Sequence, residues 1–188
     1  MTIKAAVIDL DGVVANNEAR FAKAEEAKQA FIGEMEALDL SISTQREAND
    51  LFWRTAFKPE YVALDEPIPG AVEAIKLLYR EGMGHHIIFL TSRPESMREA
   101  TEQWLEQYEL NSPFFPLVMK APGFQYTKTT VWKTGMVQTL VFLYGASELL
   151  FVDDEADNAA PVLNWALADD CPCEIKVCSS LALAVGKE

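Results

Sequence analysis

The chain has 188 residues, of which 49% are hydrophobic and 24% are charged, a balance that is typical of one globular α/β domain. Its 16 basic and 29 acidic residues leave a formal net charge of −13, which argues against binding of nucleic acid through a broad basic surface. No apolar stretch is long enough to span a bilayer, and acidic residues interrupt the N-terminal segment where a signal peptide needs an unbroken apolar run. We therefore expect a cytoplasmic protein that makes no membrane contact.

Strand-like and helix-like patterns alternate along most of the chain after a first strand predicted over residues 3–10. Residues 15–64 interrupt this alternation with mostly helical sequence, because apolar side chains recur there at helical spacing. The remaining predicted helices cover residues 69–81, 95–109, 127–144 and 157–168, and the remaining predicted strands cover residues 86–90, 114–119, 149–152 and 174–178. Strands that are separated by single helices predict a doubly wound parallel sheet, in which Pro116 places its strand near an edge or a bulge.

Two acids follow the first predicted strand, in the sequence Asp9-Leu10-Asp11-Gly12. Side chains two positions apart on a strand face the same way, so both carboxylates can project from its carboxyl end, where ligands of parallel sheets bind. Two like charges this close stay ionised only if a cation or a shared proton relieves their repulsion. The pair predicts a site for a divalent metal; an ordinary strand followed by an Asp-Gly turn is the alternative interpretation.

Three later segments supply chemistry that could join the same site. The first segment follows an apolar run and offers a hydroxyl, backbone N–H groups and a guanidinium. The second contains a lysine near the start of an amphipathic stretch. The third is an apolar run that ends in two acids. The residues concerned are Thr91, Ser92, Arg93, Lys133, Asp153 and Asp154. Two alternatives remain open: Thr91 could cap a helix that begins near Pro94, and Lys128 competes with Lys133, which is favoured by its spacing to the acid pair.

In this order the segments resemble the four motifs of the haloacid-dehalogenase (HAD) superfamily, most of whose members are magnesium-dependent phosphatases. The likeness runs from residue 7 to about residue 161, apart from one insertion. In that superfamily a lysine precedes the last acid pair by roughly twenty residues, which fits the position of Lys133. The matched positions, in chain order, are Asp9 and Asp11, then Thr91, then Lys133, then Asp153 and Asp154. The resemblance implies a HAD-like Rossmannoid core.

The resemblance also implies a role for each matched residue. Asp9 would attack phosphorus to form an aspartyl-phosphate, and Asp11 would donate a proton to the leaving oxygen and then accept one from the attacking water. Thr91, the amide of Ser92 and Lys133 would bind the phosphoryl oxygens.

Magnesium is the cofactor that the resemblance implies. Its ligands would be the Asp9 carboxylate, the Asp11 backbone carbonyl and Asp154, with Asp153 bound directly or through a water molecule. Asn158 lies four residues after Asp154, where the superfamily often has an acid or amide, and could hold the motif-three lysine or the waters of the metal. It could equally open the next helix.

Residues 15–64 follow the first motif directly, where many HAD phosphatases carry a small helical cap. We therefore expect a catalytic core formed by residues 1–14 and 65–188, with a cap at residues 15–64. The predicted cap holds four aromatic residues, Phe52, Trp53, Phe57 and Tyr61. These rings either pack in the interior of the cap, as apolar stripes usually do, or form a platform on which bases stack.

Within the superfamily, the chain is similar to the 3′-phosphatase domain of phage-type polynucleotide kinases. Arg93 directly follows motif two, and Arg20 lies eleven residues past Asp9, as in those domains, whereas Thr129 replaces an acid. We expect a magnesium-dependent phosphatase for a small phosphorylated compound, a nucleotide or a polynucleotide 3′-phosphate, with Arg93 and Arg20 anchoring substrate phosphate. The alternatives are a HAD-fold protein that binds a phosphorylated ligand without turnover, and a phosphotransferase.

Overall fold

The computed structural model describes residues 2–38, 44–80, 84–168 and 171–186. Its strands are β1 (Lys4–Ile8), β2 (Ala15–Asn16), β3 (Glu66–Pro67), β4 (His86–Pro94), β5 (Leu117–Lys120), β6 (Glu148–Val152) and β7 (Glu174–Cys178). Its α-helices are α1 (Glu18–Ala37), α2 (Thr44–Ala56), α3 (Ala71–Tyr79), α4 (Arg98–Gln107), α5 (Thr129–Tyr144), α6 (Ala156–Ala166) and α7 (Leu181–Ala184). Short 3-10 helices cover Pro59–Leu64, Glu95–Met97 and Pro122–Phe124.

Five strands form one parallel sheet in the order β5-β4-β1-β6-β7. β1 lies at the centre, so its side chains are buried on both faces of the sheet. Ala6 and Ile8 belong to a hydrophobic cluster with α3, α4 and α7, whereas Ala5 and Val7 belong to a second cluster with α5 and α6. Helices therefore cover both faces, which confirms the predicted doubly wound parallel sheet.

The predicted strands and helices are present, and the largest differences lie around the second motif. The strand predicted over residues 86–90 continues to Pro94, with an irregular register against β5 between Thr91 and Pro94. The helix predicted over residues 95–109 begins as a 3-10 turn and becomes α-helical only at Arg98. The second motif therefore lies within the irregular carboxyl end of β4 and not in a loop after it.

β5 is an edge strand, as Pro116 predicted. The strand begins directly after this proline, whose carbonyl oxygen still accepts a hydrogen bond from the backbone N–H of Phe89 at 2.9 Å. The helix predicted over residues 69–81 is α3, and residue 81 itself lies outside the described part of the chain. The two-residue strands β2 and β3 and the single-turn helix α7 were not predicted, because such short elements show no periodicity.

Residues 15–64 are largely helical, as expected. α1 and α2 pack against each other, and the rings of Phe21, Phe52 and Trp53 meet there edge to face. β2 and β3 pair antiparallel at the two ends of this stretch. The function of these helices as a cap, and the boundaries of that cap, stay predictions. Among the described residues, no helix combines the length and apolar character needed to cross a bilayer.

Candidate active site

The carboxyl ends of β1, β4 and β6 open onto one hollow of about 780 Å³. Parallel strands bring residues that are far apart in sequence to this single edge of the sheet. Predicted site residues that line the hollow are Asp9, Asp11, Ser92, Lys133 and Asp154. The structure therefore gathers residues from all four motif segments around one space.

Asp9 is buried at the end of β1, and its backbone N–H donates to the carbonyl oxygen of Val152 at 2.9 Å. Its Oδ1 accepts from the backbone N–H of Leu10 at 2.9 Å, and its Oδ2 accepts from Nζ of Lys133 at 2.6 Å. The pKa of Asp9 is raised to about 7, because burial and the charge of the neighbouring Asp153 raise it by more than the charge of Lys133 lowers it. These hydrogen bonds fix the Asp9 carboxylate in place, while burial and the nearby charge of Asp153 disfavour its ionised form.

Lys133 bridges two carboxylates from different strands. Its Nζ also donates to Oδ2 of Asp153 at 2.7 Å, and the side chain is buried. Burial lowers the pKa of Lys133, but Asp9 and Asp153 together raise it, so the ammonium keeps its charge. Lys128, the competing candidate, is the residue before the first turn of α5 and is not among the residues lining the hollow.

The two acids after β6 have different surroundings. Asp153 is buried, and its Oδ1 accepts from the backbone N–H of Glu155 at 3.1 Å and from Nδ2 of Asn158 at 3.0 Å. Asn158 therefore holds Asp153 rather than Lys133. Asp154 is exposed to the hollow, so the second acid of the pair is the one open to a ligand.

Three carboxylates here could hold a metal ion, because Asp9, Asp153 and Asp154 each place an oxygen within 4.8 Å of the others. Lys133 is the cation that donates to these acids among the described residues, so one ammonium stands against three carboxylates. Burial raises the pKa of Asp154, and its neighbour Asp153 adds to this. Hard oxygen donors around an uncompensated charge suit Mg²⁺, and these residues therefore fit the ion that the sequence predicts.

Asp11 also lines the hollow, and its carboxylate is bound by two arginines. Arg93 donates from Nε to Oδ2 at 3.0 Å and from Nη2 to Oδ1 at 2.7 Å, and Arg20 donates from Nη2 to Oδ1 at 2.5 Å. Burial alone would raise the pKa of Asp11, but Arg93 and then Arg20 outweigh it and hold the pKa at about 2. The Asp11 carboxylate is therefore ionised and fixed in orientation.

Asp65 completes this second cluster, and the sequence analysis missed it. Its Oδ1 accepts from Nε of Arg20 at 2.9 Å, and its Oδ2 accepts from Nη2 of Arg93 at 2.7 Å. Both arginines and Asp65 have no exposed side-chain surface. Two arginines and two aspartates balance in charge, which is the condition under which buried ions are tolerated.

Arg20 and Arg93 were predicted to anchor substrate phosphate, and their positions in the structure argue against that contact. Arg20 and Arg93 are fully buried and are not among the residues that line the hollow. Their donors are directed at Asp11 and Asp65 instead. This geometry favours a positioning role, in which they orient Asp11, over the predicted contact with substrate.

A solved structure shares this architecture across nearly the whole molecule. A haloacid dehalogenase-like hydrolase from Burkholderia xenovorans LB400 superposes with a TM-score of 0.58 at 11% identity, covering 99% of this chain and 96% of that chain. The chain has the HAD-like fold. No family model matches the sequence, and no curated protein matches it.

A second structure, the Pnkp1/Rnl/Hen1 RNA repair complex, aligns with a TM-score of 0.48 at 18% identity. The alignment covers 94% of this chain and 43% of the other chain, so the present chain spans less than half the length of that protein.

The two residues of the second motif have different surroundings: Thr91 lies in the interior, and Ser92 lines the hollow. Thr91 is fully buried, and its Oγ1 accepts from the backbone N–H of Arg93 at 3.2 Å. The hydroxyl does not cap α4, which begins at Arg98 after a 3-10 turn. Ser92 lines the hollow. Binding of phosphoryl oxygens by Thr91 and Ser92 stays a prediction.

Part of the wall of the hollow is aromatic. Phe21 of α1, Trp53 of α2 and Phe57, just beyond α2, line it. The sequence left open whether the rings of the predicted cap pack in its interior or form a platform on which bases stack. Periodicity could not decide, because it does not show what the ring-bearing face of a helix packs against. Two further predicted aromatics, Phe52 and Tyr61, do not line the hollow.

Proposed function

We propose that the protein is a magnesium-dependent phosphomonoesterase in which Asp9 is the nucleophile. The observation that carries the proposal is the position of Asp9: a buried carboxylate at the end of the central strand that lines the hollow, with Lys133 at 2.6 Å and two more acids within 4.8 Å. A bound Mg²⁺ would add positive charge beside the transferring phosphoryl group. The HAD-like fold agrees with such chemistry but does not establish it.

In the first step, an oxygen of Asp9 forms a bond to phosphorus while the bond from phosphorus to the ester oxygen breaks. The leaving alkoxide takes up a proton from solvent, and the attack of water in the second step returns one proton to solvent. Lys133 holds the attacking carboxylate in place, and the Ser92 amide is the proposed donor to the phosphoryl oxygens. In the second step, water attacks phosphorus, inorganic phosphate leaves, and the Asp9 carboxylate is restored.

We propose that Asp11 carries protons in this reaction. Its ion pairs keep it in the ionised form, which accepts a proton, and not in the protonated form, which donates one. An ionised carboxylate with a pKa of about 2 accepts the proton from the attacking water only transiently, because Arg93 and Arg20 stabilise its charged form. Donating a proton to a leaving alkoxide is opposed by the same contacts. We therefore propose that leaving groups with a low pKa, which need little protonation, react fastest.

Nucleotides and polynucleotide 3′-phosphates are the substrates that the sequence resemblance predicts, and the cytoplasm is the predicted location. A phosphotransferase would use the same residues with an alcohol in place of water, and a binding protein would use them without turnover. Both alternatives have measurable consequences.

The test measures release of phosphate from p-nitrophenyl phosphate with and without Mg²⁺. We expect turnover that requires the ion and that is lost in Asp9→Asn. The matched control is Asp157→Asn, because Asp157 is an exposed acid three residues past Asp154 and outside the hollow. Activity that survives Asp9→Asn would contradict the proposal, whereas transfer of phosphate to added alcohol in preference to water would establish the phosphotransferase.

A further inference from the structure

The aromatic wall has no part in the phosphoryl chemistry just proposed. Phe21, Trp53 and Phe57 lie on the same hollow as Asp9, yet they offer no charge, metal ligand or proton. A phosphoryl group alone fills only a small part of about 780 Å³, a volume typical of sites that enclose a whole small ligand. The rings are therefore placed to contact the part of the substrate that leaves.

Trp53 is unusually open for a residue of its type. The residue is 49% exposed although its ring lies against three other rings. Phe57 is stacked on it, with ring centroids 5.5 Å apart and planes inclined by 22°. Phe21 and Phe52 contact it edge to face, at 6.1 Å and 5.0 Å. The neighbouring rings thus fix the orientation of Trp53 and leave part of its surface free.

The wall is also fixed relative to the acids. The guanidinium of Arg20 lies 5.2 Å from the centre of the Phe21 ring, and the same guanidinium holds Asp11. Phe57 packs partly against the main hydrophobic cluster of the domain. A ligand with phosphorus beside Asp9 would therefore meet a preformed aromatic surface.

Charge in the hollow limits what the leaving group can carry. Its acidic lining residues are Asp9, Asp11, Glu95, Asp154 and Glu155, and its basic lining residues are Lys120 and Lys133. Lys133 is committed to two carboxylates, and Nζ of Lys120 donates to the carbonyl oxygen of Thr127 at 2.6 Å. No arginine lines the hollow among the described residues, and Lys120 is the only basic lining residue there that is not paired with a carboxylate, so a second phosphate on the ligand would find a single cation to meet it.

We propose that the hollow binds a phosphate monoester whose leaving group carries a flat, uncharged aromatic ring, and that Trp53 and Phe57 contact this ring. The inference rests on the proposed function for the phosphoryl end of the ligand only. It assigns Trp53 and Phe57 as residues that determine specificity.

Binding of two phosphonates tests the ring, because phosphonates are not hydrolysed and so report binding whether or not the protein is a phosphatase. Benzylphosphonate and cyclohexylmethylphosphonate have the same charge and similar size, but only the first carries a flat aromatic ring. Isothermal titration calorimetry with Mg²⁺ present should show benzylphosphonate binding about fivefold more tightly, the size of effect expected for an aromatic pair beyond its buried area.

Substitutions test whether Trp53 is the source of the preference for benzylphosphonate. Trp53→Leu should abolish most of the preference, and Trp53→Tyr should keep it, because the ring is retained. Phe142→Ala is the matched control, since Phe142 is a 67% exposed aromatic on α5 outside the hollow. Equal binding of the two phosphonates, no binding of either, or a preference that is unchanged in Trp53→Leu would each overturn the inference.

Competition with benzylphosphonate tests the charge limit. A nucleoside 3′-monophosphate should compete at least as well as a 3′-phosphorylated dinucleotide, which adds a phosphodiester; the Asp9→Asn variant serves here so that neither is consumed. Tighter binding of the dinucleotide would overturn the single-phosphate part. Failure of the proposed function alone would give a different result. Benzylphosphonate would still bind more tightly than cyclohexylmethylphosphonate, but the wild-type protein would release no phosphate from any monoester.

Discussion

The carboxylate of Asp154 occupies the space that a side chain at Gly12 would need. An ideal Cβ on Gly12 would lie 2.2 Å from Oδ2 of Asp154, and Gly12 has a φ of +80°. Glycine at this position therefore serves two purposes: it adopts a left-handed backbone, and it lets an acid from another strand approach the first motif.

Gly12→Ala should displace Asp154 and weaken Mg²⁺ binding. The left-handed backbone adds a cost of about 1–2 kcal/mol in the free energy of unfolding. Calorimetric titration with Mg²⁺ and denaturant unfolding measure the two effects. Gly33→Ala is the matched control, because Gly33 lies in α1 and nothing lies within 4 Å of a Cβ placed on it. Unchanged Mg²⁺ affinity in Gly12→Ala would contradict the assignment of Asp154 to the metal site.

Asp65→Asn should be strongly destabilising. Asp65 faces Arg20 and Arg93, and all three side chains have no exposed surface, so the substitution leaves two guanidinium groups with one carboxylate. Breaking a buried ion pair in this way costs about 3 kcal/mol or more. Urea unfolding measures it, with the exposed Asp157→Asn as control. A loss no larger than in that control would show that the cluster contributes little to stability.

Lys133→Met should abolish activity, whereas Lys128→Met should retain it. Removal of the ammonium leaves Asp9 and Asp153 without the cation that lies 2.6 Å and 2.7 Å from their oxygens. Steady-state hydrolysis of p-nitrophenyl phosphate compares the two variants. The opposite result would assign the third motif to Lys128, the alternative that sequence spacing left open.

Asp11→Asn should separate the two chemical steps. An aryl phosphate has a leaving group that departs without a proton, so Asp9 should still be phosphorylated while attack by water slows by roughly 10²-fold or more. Rapid-mixing experiments should then show a burst of p-nitrophenol close to the enzyme concentration, followed by slow turnover. Linear product formation at the wild-type rate would remove Asp11 from the mechanism.

The sheet could be predicted because its strands are strongly apolar. β1 and β6 are buried on both faces of the sheet, so their sequences read as continuous apolar runs that end in acids. The chain order of the runs and the single helices between them then gives a parallel sheet. The short strands β2 and β3 have no such signal, since two residues cannot show a period.

The motif residues could be predicted for the same reason. The acids directly follow β1 and β6, the second motif extends the apolar run of β4, and Lys133 lies near the start of α5. The partners of Asp11 could not. Arg20 and Asp65 lie 45 residues apart, in segments whose relative position depends on how α1 and α2 pack. Periodicity within one helix says nothing about which charged side chains meet across three elements. It also could not indicate that Trp53 and Phe57 face the hollow.

The central claim is that a phosphoryl group resides on Asp9 during turnover, and trapping tests it most directly. Borohydride reduces an acyl phosphate to an alcohol, so Asp9 should be recovered as homoserine when Asp11→Asn protein is quenched during turnover of p-nitrophenyl phosphate with Mg²⁺. Peptide mass spectrometry identifies the modified position. We expect reduction that is confined to position 9 and that depends on substrate. The account would be contradicted if the wild-type protein released phosphate but position 9 was not reduced, or if another residue was modified instead.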